Sequence, residues 1–343
     1  MEGGIAREQG KRRGWTIAVF CAAAVLVVLW APFWGMQQIP ISALWGDGEP
    51  TTTDILWRLR IPRVLMALLA GVALSTSGMV FQAMFRNPLA TPFTLGVSSG
   101  ASLGAAIAIQ YGWTLTVLKG VSTVSLCAFA GAVGSIALVY VLSTRSRQGL
   151  SSATMLLAGV AVSFFFSSLI LLLQYVGNVS ANLRILRWVM GGLEQIVSFR
   201  EVFGVLPFVV SGCLIVWYLT FDLNLLSTGE DFAFSRGVNV AAAKFLLFLS
   251  VSLMVGAVVA VCGPIGFVGL VGPHICRLLV GSDHRRLFPM SLCFGGVFLV
   301  VCDTIARMIR PPAELPVGIL TALLGGPFFL WLLLSRQRDL GPI

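Results

Sequence analysis

Residues 244–280 read KFLLFLSVSLMVGAVVAVCGPIGFVGLVGPHICRLLV, and within them only Lys244 and Arg277 carry a full charge. The stretch divides at Gly263-Pro264 into two apolar runs, 244–261 and 264–280. Hydrocarbon offers a backbone no hydrogen-bond partners, so a run of about 20 apolar residues is stable there only as a helix. The second run is short for that task. Gly263, Gly266, Gly269 and Gly272 recur every three residues in it, bracketed by Pro264 and Pro273, so a distorted helix is expected.

The same pattern extends along the whole chain. Apolar runs between charged breaks predict spans at 15–35, 62–84, 94–111, 120–142, 153–176, 201–221, 244–261, 264–280, 287–308 and 316–335. The expected fold is therefore all-α, a polytopic membrane protein with about ten transmembrane helices. Composition leaves little else: of 343 residues 57% are hydrophobic and 11% charged, with a mean hydropathy of +0.92. Soluble domains carry about 25% charged residues.

The net charge of +9 lies between apolar runs and reads as a topology signal, which argues against nucleic acid as the partner. With the N-terminus inside, 14 basic residues fall on the cytoplasmic side and 9 outside. That split favours cytoplasmic termini, a tail at 1–14, one membrane domain over 15–335 and a tail at 336–343. Arg7, Lys11, Arg12 and Arg13 precede an apolar run from Trp15 to Trp34 that is too long for a signal-peptide core, so a retained first helix is expected. The external basic residues exceed what topology requires. An acidic partner and lipid headgroups both fit them.

Catalytic and metal signals are missing from the sequence. Its seven cysteines lie almost wholly inside apolar runs without a CxxC pair, and His274 and His284 have no third ligand nearby. No GxxxxGK[ST] loop occurs and Lys is found only at 11, 119 and 244, so ATP, if used, binds another polypeptide. HExxH is absent too, and the Ser and Cys residues have no positioned base beside them, so an intramembrane enzyme is not indicated. Asp303 stands four residues before Arg307, the spacing of a local helix salt bridge. Gly96, Gly100 and Gly104 recur every four residues, a stripe for close backbone approach more readily than a ligand site. A weak echo between PRVLMALLAG (62–71) and PVGILTALLG (316–325) hints at duplicated halves.

Five ordered segments carry a resemblance: RIPRVLMALLAG (60–71), FRNPLATPFTLGVSSGASLGA (85–105), LLAGVAV (156–162), GPIGFVGLVGPHICRLLVGSDHRRLFP (263–289) and AELPVGILTALLGGPFFLWLL (313–333). Together they resemble the FecCD-type permeases, the membrane subunits of ABC importers for iron chelates, haem and cobalamin. The resemblance implies a type II ABC importer permease in the bacterial inner membrane, itself not an enzyme. It implies a homodimer served by two ATPase subunits, which hold the ATP and Mg, and by a periplasmic or extracellular binding protein. No cofactor is implied for this chain.

Carried over position by position, the resemblance assigns Arg60, Arg63 and Arg307 to docking of the binding protein, where arginine–carboxylate bonds give orientation and fast encounter. Asn87 and Leu89 match one layer of the cytoplasmic gate, and Ser151 and Ser152 a second. Pro88 and Pro92 forbid one continuous helix there. The segment LSTGEDFAFSRGVN (226–239) matches the loop that couples to the ATPase, through Gly229, Glu230, Ala233 and Gly237. The substrate expected on family frequency is a ferric siderophore, with haem and cobalamin as alternatives and molybdate-type oxyanions further off. A secondary transporter driven by an ion gradient is the competing class, disfavoured by the scarcity of buried acids.

Overall fold

The computed structural model describes residues 2–35, 39–45, 50–113, 116–117, 121–145, 152–196, 198–309 and 313–339. Seven helical segments are long and apolar enough to cross a bilayer. They fall on α1 (Glu2–Trp30), α3 (Ile61–Met84), α5 (Thr123–Thr144), α6 (Ser152–Val176), α8 (Phe199–Tyr218), α11 (Val240–Cys262) and α13 (His284–Ile309). The expected runs at 94–111, 264–280 and 316–335 hold shorter apolar helices, α4 (Val97–Gln110), α12 (Val268–Val280) and α14 (Val317–Asp339). Four further short helices are α2 (Pro50–Asp54), α7 (Val179–Val189), α9 (Thr220–Thr228) and α10 (Glu230–Ser235). A two-residue antiparallel pairing joins β1 (Thr116–Val117) to β2 (Val121–Ser122), and the chain is otherwise all-α among the described residues.

Backbone conformation explains why α4 and α12 start late. Gly96 at φ 80° and Phe267 at φ 67° both stand in the left-handed region immediately before the helix begins. The turns spanning 85–96, with Pro88 and Pro92, separate α3 from α4 as expected. Conversely, α3 is longer at its start than expected. A π-helical turn, Ile55–Arg60, joins α2 to it, giving one apolar rod over Pro50–Met84 that tolerates Pro62 in its first α-helical turn.

Burial sorts the helices into an inner and an outer set. The apolar window containing α3 is 78% buried and that of α11 72%, whereas the windows of α1 and α6 are 17% and 11% buried. So α3 and α11 form the centre, flanked by α13, α12, α5 and α8. Leu157, Phe164, Leu171 and Leu172 on α6 are exposed, as suits a helix facing lipid or another subunit.

Small residues let the inner helices meet backbone to backbone. A methyl on Gly71 would overlap the Gly295 carbonyl of α13, and one on Gly78 the Gly269 carbonyl of α12. Gly100 faces Gly131, and Gly104 faces the Cys127 carbonyl, closing α4 onto α5. The four-residue stripe thus serves packing at Gly100 and Gly104, while Gly96 caps the helix and accepts a bond from the Ser135 hydroxyl at 2.7 Å. In the three-residue repeat, Gly269 and Gly272 pack on α3, but Gly266 borders open space.

Asn178, whose tripeptide Asn178-Val179-Ser180 matches a glycosylation sequon, caps α7. Its side-chain oxygen accepts from the Ala181 amide and from the Ser180 hydroxyl, both at 2.8 Å. Asn178→Ala is expected to lower stability by about 1 kcal/mol, seen as faster hydrogen exchange confined to the first turn of α7. Unchanged exchange there would remove the capping role.

Candidate functional site

Two polar clusters lie at opposite ends of α3. The first gathers Arg60, Arg63 and Arg307 as expected, but also two acids that hold them. Arg63, in the first turn of α3, meets Asp303 of α13 with bonds of 2.9 and 3.1 Å, and Glu314, just before α14, at 2.5 Å. Arg307 lies 3.3 Å from the same Asp303, the i, i+4 pair expected from spacing. Arg60 donates to the Pro32 carbonyl at 3.0 Å.

All three arginines are less than a tenth exposed, and Asp303 is 1% exposed. They line a cavity of about 910 Å³ whose walls also include Arg187, Glu194 and Glu314. Arg187 is exposed, on the outward face of α7 beside Arg184. Arg63 is matched by two carboxylates, while Arg187 is a solvent-facing cation at the cavity.

At the other end, Ser152 of the expected gate meets Glu230 of the expected coupling segment. Asn87 is half-buried and Leu89 is exposed. The Asn87 side chain accepts from the Leu89 amide at 2.9 Å, so it fixes the turn after α3. Ser151 lies outside the described residues. Ser152, the first residue of α6, is bonded to Lys244 at 3.2 Å and lies 3.0 Å from Glu230 of α10. Its hydroxyl also reaches the Met84 carbonyl at 3.2 Å.

The coupling segment is a helix pair, α9 and α10, joined at Gly229. Ala233 is fully buried and anchors α10. Gly237 ends it: its amide donates to the Phe234 carbonyl at 2.9 Å and the Val238 amide to the Ala233 carbonyl at 3.1 Å, with Gly237 at φ 85°. This is a Schellman termination, which favours glycine. Gly237→Leu is therefore expected to lower stability by about 1–2 kcal/mol through backbone strain alone, since no atom lies within 4 Å of the added carbon. Proteolysis localised to 226–239 would read it; native resistance would remove the claim.

The far side of the pair is tied down as well. Asn224 of α9 donates to Asp283 at 2.8 Å and accepts from the His284 amide at 2.9 Å. Partial burial works against the Asp283 carboxylate, but its bonds from Asn224 and the Arg285 amide, with Arg286 and Arg285 nearby, outweigh that and hold it below the usual carboxylate range. Among the described residues, no group of three or more His, Cys, Asp or Glu could hold a metal.

Residues 18–335 match the model of the FecCD transport family. The chain belongs to that family. It is 38% identical over 320 residues to the hemin transport system permease protein of Yersinia pestis, an alignment covering 92% of this chain and 93% of that one. It is 40% identical over 316 residues to the cobalamin import system permease protein of Halobacterium salinarum, covering 92% and 83%. A solved metal-chelate type ABC transporter in an inward-facing conformation superposes with a TM-score of 0.81 at 31% identity, over 92% of this chain and 98% of that one.

The chain is thus a multi-pass permease subunit of an ABC importer, in a family that is itself non-catalytic and works with ATPase and substrate-binding partners. The match does not single out a ferric siderophore as the substrate. These relatives are named for hemin and cobalamin, so the match supports the alternatives better. Sequence reading missed Asp303 and Glu314 as partners of Arg63, and it placed Lys244 at a solvent-facing boundary. One signal for Lys244 was available, a lysine at the start of an apolar run in a chain holding three.

Proposed function

We propose that two copies of this chain enclose a translocation path on their two-fold axis and import a tetrapyrrole-type metal chelate, haem or cobalamin. Each copy crosses the bilayer about ten times over residues 15–335, with the segments 1–14 and 336–343 in the cytoplasm and one ATPase subunit beneath it. The observation that carries the reading is the family match over 18–335, with relatives named for those two ligands.

The cluster at the start of α3 is the face that receives the binding protein. Arg60 and Arg307 supply the positive rim, Arg187 offers the first exposed contact, and Arg63 with Asp303 and Glu314 sets the shape of the rim. About 32 Å away along α3, by a rise of 1.5 Å per residue, lies the cytoplasmic gate of Asn87, Leu89, Ser151 and Ser152. Next to it, α9 and α10 with Gly229, Glu230, Ala233 and Gly237 meet the ATPase, where Phe232 and Phe234 are exposed for contact.

The test is reconstitution in vesicles with the ATPase and the binding protein, supplied in turn with haem, cobalamin, a ferric siderophore and molybdate. ATP-dependent uptake of haem or cobalamin alone is expected. Uptake driven by an ion gradient with this chain alone would overturn the importer reading, and uptake of only the siderophore or molybdate would overturn the substrate. For docking, Arg60→Glu is expected to reduce binding-protein-stimulated hydrolysis by about tenfold, in the range for a charge at such an interface. Unchanged stimulation would remove Arg60 from the docking face.

A further inference from the structure

We infer that the buried ammonium of Lys244 is the positioning group that makes α10 and the gate at Ser152 move as one. The inference rests on the importer reading above and adds to it the residue through which the ATPase-facing helices act. Lys244 lies in the second turn of α11 and is 1% exposed, among the largest fully buried side chains of the protein. A buried ammonium is tolerated only where a counter-charge and hydrogen-bond acceptors replace water. Its counter-charge is Glu230, the first residue of α10, 2.5 Å away.

Ser152 completes the arrangement. It accepts from Lys244 Nζ at 3.2 Å and has a single proton to give, either to Glu230 Oε1 at 3.0 Å or to the Met84 carbonyl at 3.2 Å. Four segments therefore meet at one charge: the end of α3 that leads into Asn87, the start of α6, the start of α11, and α10. The hydroxyl can switch acceptors without moving its oxygen. It can stay bonded while α10 shifts slightly, whereas separation of Glu230 from Lys244 removes a carboxylate that balances a buried ammonium.

The helix α10 is six residues long, far below the length at which an isolated helix holds itself together. Its position is thus set by what it touches, the buried Ala233 and the Glu230–Lys244 pair. On the opposite side Asn224 fixes α9 to the Asp283–His284 turn. A push on the exposed Phe234 face must then either break the pair or carry Ser152 and the end of α3 along with α10. The second course keeps every charge paired.

The experiment has two arms. In the first, hydrogen exchange is measured on the full chain in nanodiscs. Lys244→Met is expected to speed exchange at residues 230–237 at least tenfold while leaving α3 and α13 protected, and Lys244→Arg to keep it native. Glu230→Gln, which neutralises the pair from its one-third-exposed side, should act like Lys244→Met and stands in for it if that variant does not fold. Native exchange in either neutralised variant would overturn the clamp.

In the second arm the same variants, assembled with ATPase and binding protein, are scored by haem or cobalamin molecules imported per ATP hydrolysed. Neutralised variants are expected to lose at least tenfold in that ratio. Lys244→Arg, and the exchanged pair Glu230→Lys with Lys244→Glu, should return to within threefold of native. A loosened α10 with an unchanged ratio would overturn the transmission role, as would failure of the exchanged pair to recover. Absence of ATP-dependent uptake by the unmodified complex would count against the importer reading, and the exchange arm would still decide the clamp.

Discussion

Asp303→Ala is expected to cost about 3–5 kcal/mol, the range for stranding a buried charge. Asp303 is 1% exposed and answers two arginines on different helices, Arg63 on α3 and Arg307 on α13. Its removal leaves Arg63 with Glu314 alone and Arg307 without its ion-pair partner, two like charges close together and largely buried. Glu314→Ala should cost about 1 kcal/mol, because Glu314 is 30% exposed and Arg63 keeps its bidentate partner. Large membrane proteins commonly unfold irreversibly, so the measurement is a half-life at fixed temperature in detergent. Equal half-lives for the two variants would refute the ordering.

Gly78→Leu should destabilise by about 3 kcal/mol, the upper part of the usual range for overpacking. A carbon added at Gly78 meets the Gly269 carbonyl of α12, which cannot rotate away as a side chain would. Gly266→Ala is the control, since Gly266 lies on the same glycine repeat as Gly269 but has nothing within 4 Å of the added carbon. Half-lives in detergent again decide. If the two variants behave alike, the backbone contact is not what limits packing here.

Spans driven by continuous hydropathy were readable from the residues, because a bilayer imposes one answer on a long apolar run. The amphipathic α7 was not. It is eleven residues long, with Ala181, Ile185 and Trp188 buried and Arg184 and Arg187 outward, and so has no continuous apolar stretch to read. The start of the rod that includes α3 was hidden by Arg58, Arg60 and Pro62, which in isolation mark a boundary. Seven of the expected runs hold membrane-length helical segments and three hold shorter apolar helices, of which α4 and α12 start late behind left-handed residues.

The candidate site was half visible. Residue types and the family pattern located Arg60, Arg63 and Arg307, yet the partners of Arg63 lie 240 and 251 positions away, beyond any local rule. Ser152 and Glu230 were placed in separate roles. Their connection runs through Lys244, which is 92 residues from the first and 14 from the second, and only the folded chain brings the three together.

The glycine contacts along α3 bear on how an importer of this design can change shape. Two helices separated by interdigitated side chains can slide a notch by swapping rotamers, but α3 touches α12 and α13 main chain to main chain at Gly78 and Gly71. That seam has no teeth to skip. The three helices are thus joined along their backbones, and the breaks beside them fall in the turns at 85–96 and 263–267, where the left-handed residues sit.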